Sequence, residues 1–177
     1  YLKLPLYFIA NAGQTDPAVR FTVKGAGHTL FFTEGEVVFS AVARPTDDHR
    51  PPTADRQRDQ SQPQGRASLQ GGFAPVGGQQ SVVRLRFPGA NPHPTIEGME
   101  PLPGAANFFL GNDPARWRAN VPTYGAVAYR DLYPGIDLVY RGTEGRLKSE
   151  FLVAPGADPA LIQMAYAGVE AIRLRDD

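Results

Sequence analysis

Asn107, Asn112, Asp113 and Trp117 bring amides, a carboxylate and the chain's single indole into one short stretch, with Tyr124 following soon after. An exposed aromatic ring of this amphipathic kind can stack on a sugar while neighbouring polar groups bond its hydroxyls, so these five residues form a candidate glycan-binding set. The plainer reading of the same residues is structural and is favoured. Asn112 or Asp113 caps one helical turn opening at Pro114, and Trp117 sits in the core with its N–H satisfied. Asn11, Gly13 and Gln14 offer a second group of amides and exposed backbone, but Asn and Gln side chains at a break between strands ordinarily bond the turn's own main chain.

Glycoside hydrolysis would need two carboxyl groups about 5 to 9 Å apart across a cleft. Asp131, Asp137, Glu144 and Glu150 are near one another in sequence, which does not fix such a distance, and their separations fit no loop that encloses calcium. Asp137 falls on the strand face opposite Tyr140 and is read as solvated or bonded to a turn amide. His28, His49 and His93 lie in separate segments without a partner at ligand spacing. There is no cysteine, which removes disulfides, thiolate metal sites and cysteine nucleophiles together. Ser40, Ser61, Ser68, Ser81 and Ser149 have no G-x-S-x-G context, and the Gly71-Gly72 and Gly77-Gly78 pairs lead into no helix and carry no phosphate-loop lysine. The expectation is a protein with no catalytic residue, metal or cofactor.

The elements that would position these residues are strands. Tyr124 to Val153 reads as three in succession, because Ile136, Leu138 and Tyr140 share one face and Leu147, Ser149, Phe151 and Val153 share a face of the next. Tyr133-Pro134-Gly135 and the Gly142-Thr143-Glu144-Gly145 tip are turn chemistry between them. The rest of the chain is expected to pack on this stretch. Tyr124, Tyr129, Tyr133 and Tyr140, beside Arg130 and Arg141, are read as cross-strand aromatic pairs in preference to a binding platform. Ahead of it, Pro5 delays or confines to an edge any strand within Leu2 to Ala10. Val19 to Val23, His28 to Thr33 and Glu36 to Ala43 then form a meander. Residues 44–80 are rich in Pro, Gln and Arg and read as a long insertion, ordered by a neighbouring copy if at all. Strand pattern returns at Ser81 to Phe87 and, briefly, at Thr95 to Glu100, with Pro101 to Ala106 as a connection. A second helical turn is expected at Pro159 to Leu161, and the last strands at Ile162 to Tyr166 and Glu170 to Arg175. No window places apolar residues at helical spacing over two turns.

The fold class that follows is all-β: one domain over 1–177, an antiparallel β-sandwich with the long insertion and one or two single helical turns. At 177 residues the chain can bury one good core and hardly two. Its 18 basic and 18 acidic residues cancel, so no global field draws it to nucleic acid, and no run is long and apolar enough to insert in a membrane. It starts at Tyr1 without an initiator Met, which suggests removal of an export signal, and it stops after a strand pattern, which suggests that a partner strand lies beyond Asp177. An edge would then be open, and Leu4, Leu6, Ile172 and Leu174 are the candidate self-association residues.

Four motifs carry a family resemblance: L-P-L-Y-F-I-A-N-A-G-Q at 4–14, N-F-F-L-G-N-D-P-A-R-W-R-A-N-V-P-T-Y at 107–124, Y-P-G-I-D-L-V-Y-R-G at 133–142 and F-L-V-A-P-G-A-D-P at 151–159. In this order the sequence resembles the N-terminal domain of bacterial SBBP (β-propeller-repeat) cell-surface proteins. The resemblance implies a secreted, β-rich surface module without an assigned activity, so no catalytic residue carries over. The expected function is extracellular and non-enzymatic, structural or adhesive, with self-assembly by strand-edge pairing or strand donation. Its expected partners are further copies or other cell-surface proteins. A carbohydrate-binding module is the alternative and a glycoside hydrolase-like enzyme the third.

Overall fold

Alternation along the chain becomes ten strands in a computed structural model that describes residues 6–25, 27–42, 80–143 and 145–169. They are β1 (Phe8–Ala10), β2 (Val19–Gly25), β3 (His28–Thr33), β4 (Glu36–Val42), β5 (Gln80–Arg86), β6 (Thr95–Phe108), β7 (Arg118–Tyr133), β8 (Ile136–Thr143), β9 (Arg146–Val153) and β10 (Ala165–Ala167). Among the described residues the only helical elements are the 3₁₀ turns Pro114–Arg116 and Pro159–Leu161, at the two places where single helical turns are expected. The expected insertion lies outside the described residues except for Gln80, which opens β5.

All pairings are antiparallel, and the hydrogen-bonded order is β10-β5-β4-β3-β2-β1-β7-β8-β9, with β6 also on β7. The spine is β7. Its Thr95-facing half pairs with β8 from Ala126 to Tyr133, and its earlier part pairs with β1 at Thr123 and Tyr124. Because β6 occupies the opposite edge along this length, β1 and β8 share one edge of β7 end to end. The seam between them is tight: a Cβ on Gly142 of β8 would stand 2.1 Å from the Leu6 carbonyl oxygen. Opposite the seam, Glu100 takes φ 58° and the β6–β7 register slips between Pro101 and Ala105, irregularities of the sort that let a strand turn from one layer to another. The two layers of the expected sandwich are thus two parts of one curled sheet.

Aromatic side chains fill the space between the layers. Phe32 of β3 meets Phe8 at 5.3 Å and Tyr140 of β8 at 5.2 Å, both edge-on. Tyr129 meets Tyr140 and Phe87, and its hydroxyl donates to the Thr33 carbonyl at 3.0 Å. Tyr133 donates to the Gln163 carbonyl and accepts from the Gln163 N–H, anchoring the segment that leads to β10. Tyr129, Tyr133 and Tyr140 are therefore core residues, as cross-strand pairing predicts.

Three boundaries differ from expectation. β6 runs through Pro101 to Ala106, where prolines are tolerated because its outer edge meets no other strand among the described residues. β7 begins at Arg118, ahead of Tyr124. β10 is confined to three residues, and the strand expected at Glu170 to Arg175 lies outside the described residues.

Candidate functional site

The long β6–β7 ribbon ends in a tip, residues 109–117, built by local chemistry. The Asp113 carboxylate accepts from the Ala115 N–H at 3.0 Å, Pro114 opens the 3₁₀ turn, and the Trp117 N–H closes it on the Pro114 carbonyl. Gly111, at φ 73°, turns its carbonyl to the Trp117 indole N–H at 3.2 Å. At the base, the Asn107 side-chain oxygen accepts from the Asn120 N–H at 2.8 Å. Arg118 then clamps the tip: its guanidinium donates to the carbonyls of Ala115, Trp117 and, across the molecule, Ala12. Lys24 sits 4.8 Å over the Phe108 ring.

This framework holds apolar groups out in solvent. Phe109 is 61% exposed, Leu110 58% and Trp117 40%. The Phe109 and Trp117 rings meet at 5.5 Å and 78°, so they form a corner and not a flat shelf. Trp117 is not a core residue, contrary to expectation: the partner for its N–H is supplied within the exposed tip itself. Of the five candidate ligand residues, Asn107, Asn112, Asp113 and Trp117 do gather here, with Asn107 and Asp113 already committed to the tip's backbone. Tyr124 does not join them. It packs edge-on against Phe21 at 5.8 Å and lies over Gly98, on the core side.

The other candidate groups are absorbed by structure. The Asn11 amide donates to the Asp16 and Val19 carbonyls and its oxygen accepts from the Gly13 N–H, while Gln14 bridges the Ala12 N–H and the Ala10 carbonyl. The depression beside this loop, about 410 Å³, is shallow and open. Leu6 is partly buried against the core and abuts Gly142, whereas Leu4, Ile172 and Leu174 lie outside the described residues. His28 stacks on Phe39 at 5.3 Å, and His93 Nδ1 lies 3.2 Å from the Glu34 carboxylate. His49 and Glu144 lie outside the described residues, within which no three His, Cys, Asp or Glu side chains gather to hold a metal.

The carboxylates form ion pairs on the outer face. Arg130 bridges Glu97 at 2.6 Å and Asp137 at 2.8 Å, and Asp137 also accepts from the N–H of Asp131, which lies at an irregularity within β7 and not in the turn expected to supply it. Arg141 pairs with Glu100 and lies 3.7 Å from Glu150, which Lys148 meets at 2.7 Å. Partial burial works to raise the Asp137 carboxyl, but the Arg130 hydrogen bond, the Asp131 amide and the Arg130 charge outweigh it and hold the group below the ordinary carboxylate range. The Lys148 hydrogen bond and charge hold Glu150 down likewise. Neither keeps a proton at neutral pH, so neither suits the general-acid role of a glycosidase pair.

Residues 8–177 match a family described as a domain of unknown function, DUF7948. The chain belongs to that family. No curated protein and no solved structure matches it. The DUF7948 match opens at Phe8, the first residue of β1, and takes in the whole tip. Phe109 and Leu110 are the site residues that sequence reasoning missed in this DUF7948 chain. The signal was there in Phe108-Phe109-Leu110, three consecutive apolar residues ahead of a glycine, which no strand can turn to one buried face.

Proposed function

We propose that this domain is a non-enzymatic structural or adhesive module of a secreted bacterial cell-surface protein, binding a protein partner through the β6–β7 tip. The observation that carries the reading is the presentation of Phe109, Leu110 and Trp117 to solvent by a turn held in shape by Asp113, Arg118 and the Trp117 indole N–H. Exposed large apolar side chains gathered on a fixed scaffold favour docking over catalysis, and aromatic anchors dominate the energetics of protein contacts. The resemblance to SBBP N-terminal domains supports the extracellular location. Association of copies through open strand edges belongs to the same reading.

A carbohydrate-binding role is the second reading, favoured by the exposure of Trp117 beside Asn112 and Asp113. The right-angled ring pair argues for a partner with knobs of its own, since a sugar prefers a flat shelf. The discriminating experiment follows Trp117 fluorescence, which reports on one site because the chain has one tryptophan. Titration with intact cells and envelope proteins of the producing organism should shift the emission to the blue, and Phe109→Ser should weaken binding at least tenfold. Binding that survives Phe109→Ser in the titration, or Trp117→Ser in a co-sedimentation assay that needs no fluorescence, overturns the assignment of the tip. A glycan that shifts Trp117 emission while envelope proteins do not transfers the site to the second reading.

A further inference from the structure

Three strand edges pair with no other strand among the described residues: those of β6, β9 and β10. β6 is defended by Pro101, Pro103 and its register slips, and β10 is too short to template a partner. β9 has neither defence. It pairs with β8 in unbroken register from Ile136↔Val153 to Thr143↔Arg146 and contains no proline, glycine or bulge.

The parity of the ladder shows which groups face outward. The Ala154 N–H donates to the Gly135 carbonyl, so even-numbered residues of this strand direct their amides and carbonyls at β8. The main-chain groups of Leu147, Ser149, Phe151 and Val153 therefore point to the open edge. We infer that β9 pairs antiparallel with β9 of a second copy, about a two-fold axis at Ser149. This rests on the reading of the domain as a self-associating structural module and names the edge and register it would use.

Charge selects the register. With Ser149 opposite Ser149, Lys148 faces the partner's Glu150 and Glu150 faces the partner's Lys148, in the closer, non-hydrogen-bonded pair positions. Leu147 faces the partner's Phe151 on the inner side of the sheet. Moving the axis to residue 148 sets lysine against lysine, and moving it to residue 150 sets glutamate against glutamate. An axis at residue 147 puts Arg146 against Lys148. Like charges directly opposite destabilise a sheet, so the neighbouring registers are disfavoured and this one is supported. The Lys148–Glu150 contact within each copy, 2.7 Å, already keeps the two groups side by side on the outer face. Charges that would guard an edge if they were of one sign are here self-complementary.

Directly opposed residues in a hydrogen-bonded antiparallel pair have α-carbons about 5.5 Å apart, within the disulfide range. Ser149→Cys introduces the only cysteine of the chain and should yield a covalent dimer on mild oxidation, at least tenfold faster than a Thr95→Cys control on β6. In sedimentation, Glu150→Lys should raise the dimer dissociation constant at least tenfold, and the swap Lys148→Glu/Glu150→Lys should restore it to within about threefold. Far-UV circular dichroism and a melting temperature matching the parent establish that the single variant is folded. Dimers indifferent to Glu150→Lys, or cross-linking no faster at 149 than at 95, overturn the β9 assignment while leaving self-association by another edge in place. A wild-type chain that is monomeric at every concentration overturns both.

Discussion

Gly142→Ala tests the seam on β7. The backbone there lies outside the left-handed region, so alanine can adopt it, and the cost is one of space alone. The new Cβ would stand 2.1 Å from the Leu6 oxygen and 2.8 Å from its carbonyl carbon. Comfortable contact lies near ~3.5 Å, so the Leu6 backbone must retreat by roughly 1 Å. It is not free to do so: two residues on, Phe8 is held by Tyr124 and, beside it, Ile9 by Thr123. Overpacking of this kind costs about 1 to 3 kcal/mol. Alanine offsets about 0.4 to 1 kcal/mol by stiffening the unfolded chain, which leaves a net loss of about 1.3 kcal/mol at mid-range and at most about 2.6 kcal/mol. Gly104→Ala is the control, because a Cβ there meets nothing within 4 Å and the same entropy term stands alone. Equilibrium urea unfolding should lower the midpoint for Gly142→Ala with an unchanged slope, and leave Gly104→Ala level or raised. Equal midpoints for the two variants would refute the seam.

Two pH predictions concern opposite faces of the sheet. Burial raises the Tyr129 and Tyr140 hydroxyls above their ordinary range; the unfolded chain releases their protons near pH 10 and the folded one does not, so stability should fall as pH rises past ~10. Thermal melts from pH 8 to 11 should show that fall, Tyr129→Phe should flatten it, and an unchanged slope in that variant would count against burial as its cause. Asp137 is depressed by Arg130 and the Asp131 amide, so its contribution is present above the unfolded value near ~3.9 and is lost as pH falls below it. Melting temperatures between pH 5 and 2.5 should decline less steeply in Asp137→Asn than in the parent, and parallel curves would remove Asp137 from the account.

The run from β7 through β9 was legible because two signals agree there: alternation in Ile136, Leu138, Tyr140 and Leu147, Phe151, and a Pro134-Gly135 turn between β7 and β8 that can do little else. β6 was legible only over Thr95 to Glu100, because the proline and glycine of Pro101 to Ala106 read as a connection unless one knows that the strand's outer edge meets no other strand among the described residues. That is a tertiary fact. Trp117 misled for a related reason: the rule that its N–H needs an acceptor holds, and the Gly111 carbonyl meets it without burial. Asp113 was readable as one of two candidate caps because the cap, the proline and the turn are adjacent in sequence, and Asp158 repeats that arrangement before Pro159. Gly142 looked like part of a hairpin tip, and its closeness to Leu6 depends on which edge of β7 each strand takes, which no local pattern encodes.

Strand β7 serving both parts of the sheet also sets an order of events. Phe8 emerges from the ribosome early yet finds Tyr124 only after most of the domain has been synthesised, so the first strands cannot close their ladder alone. The halves of the sheet therefore stay unlatched until a late segment arrives, and the ladder closes only once that segment is free to pair.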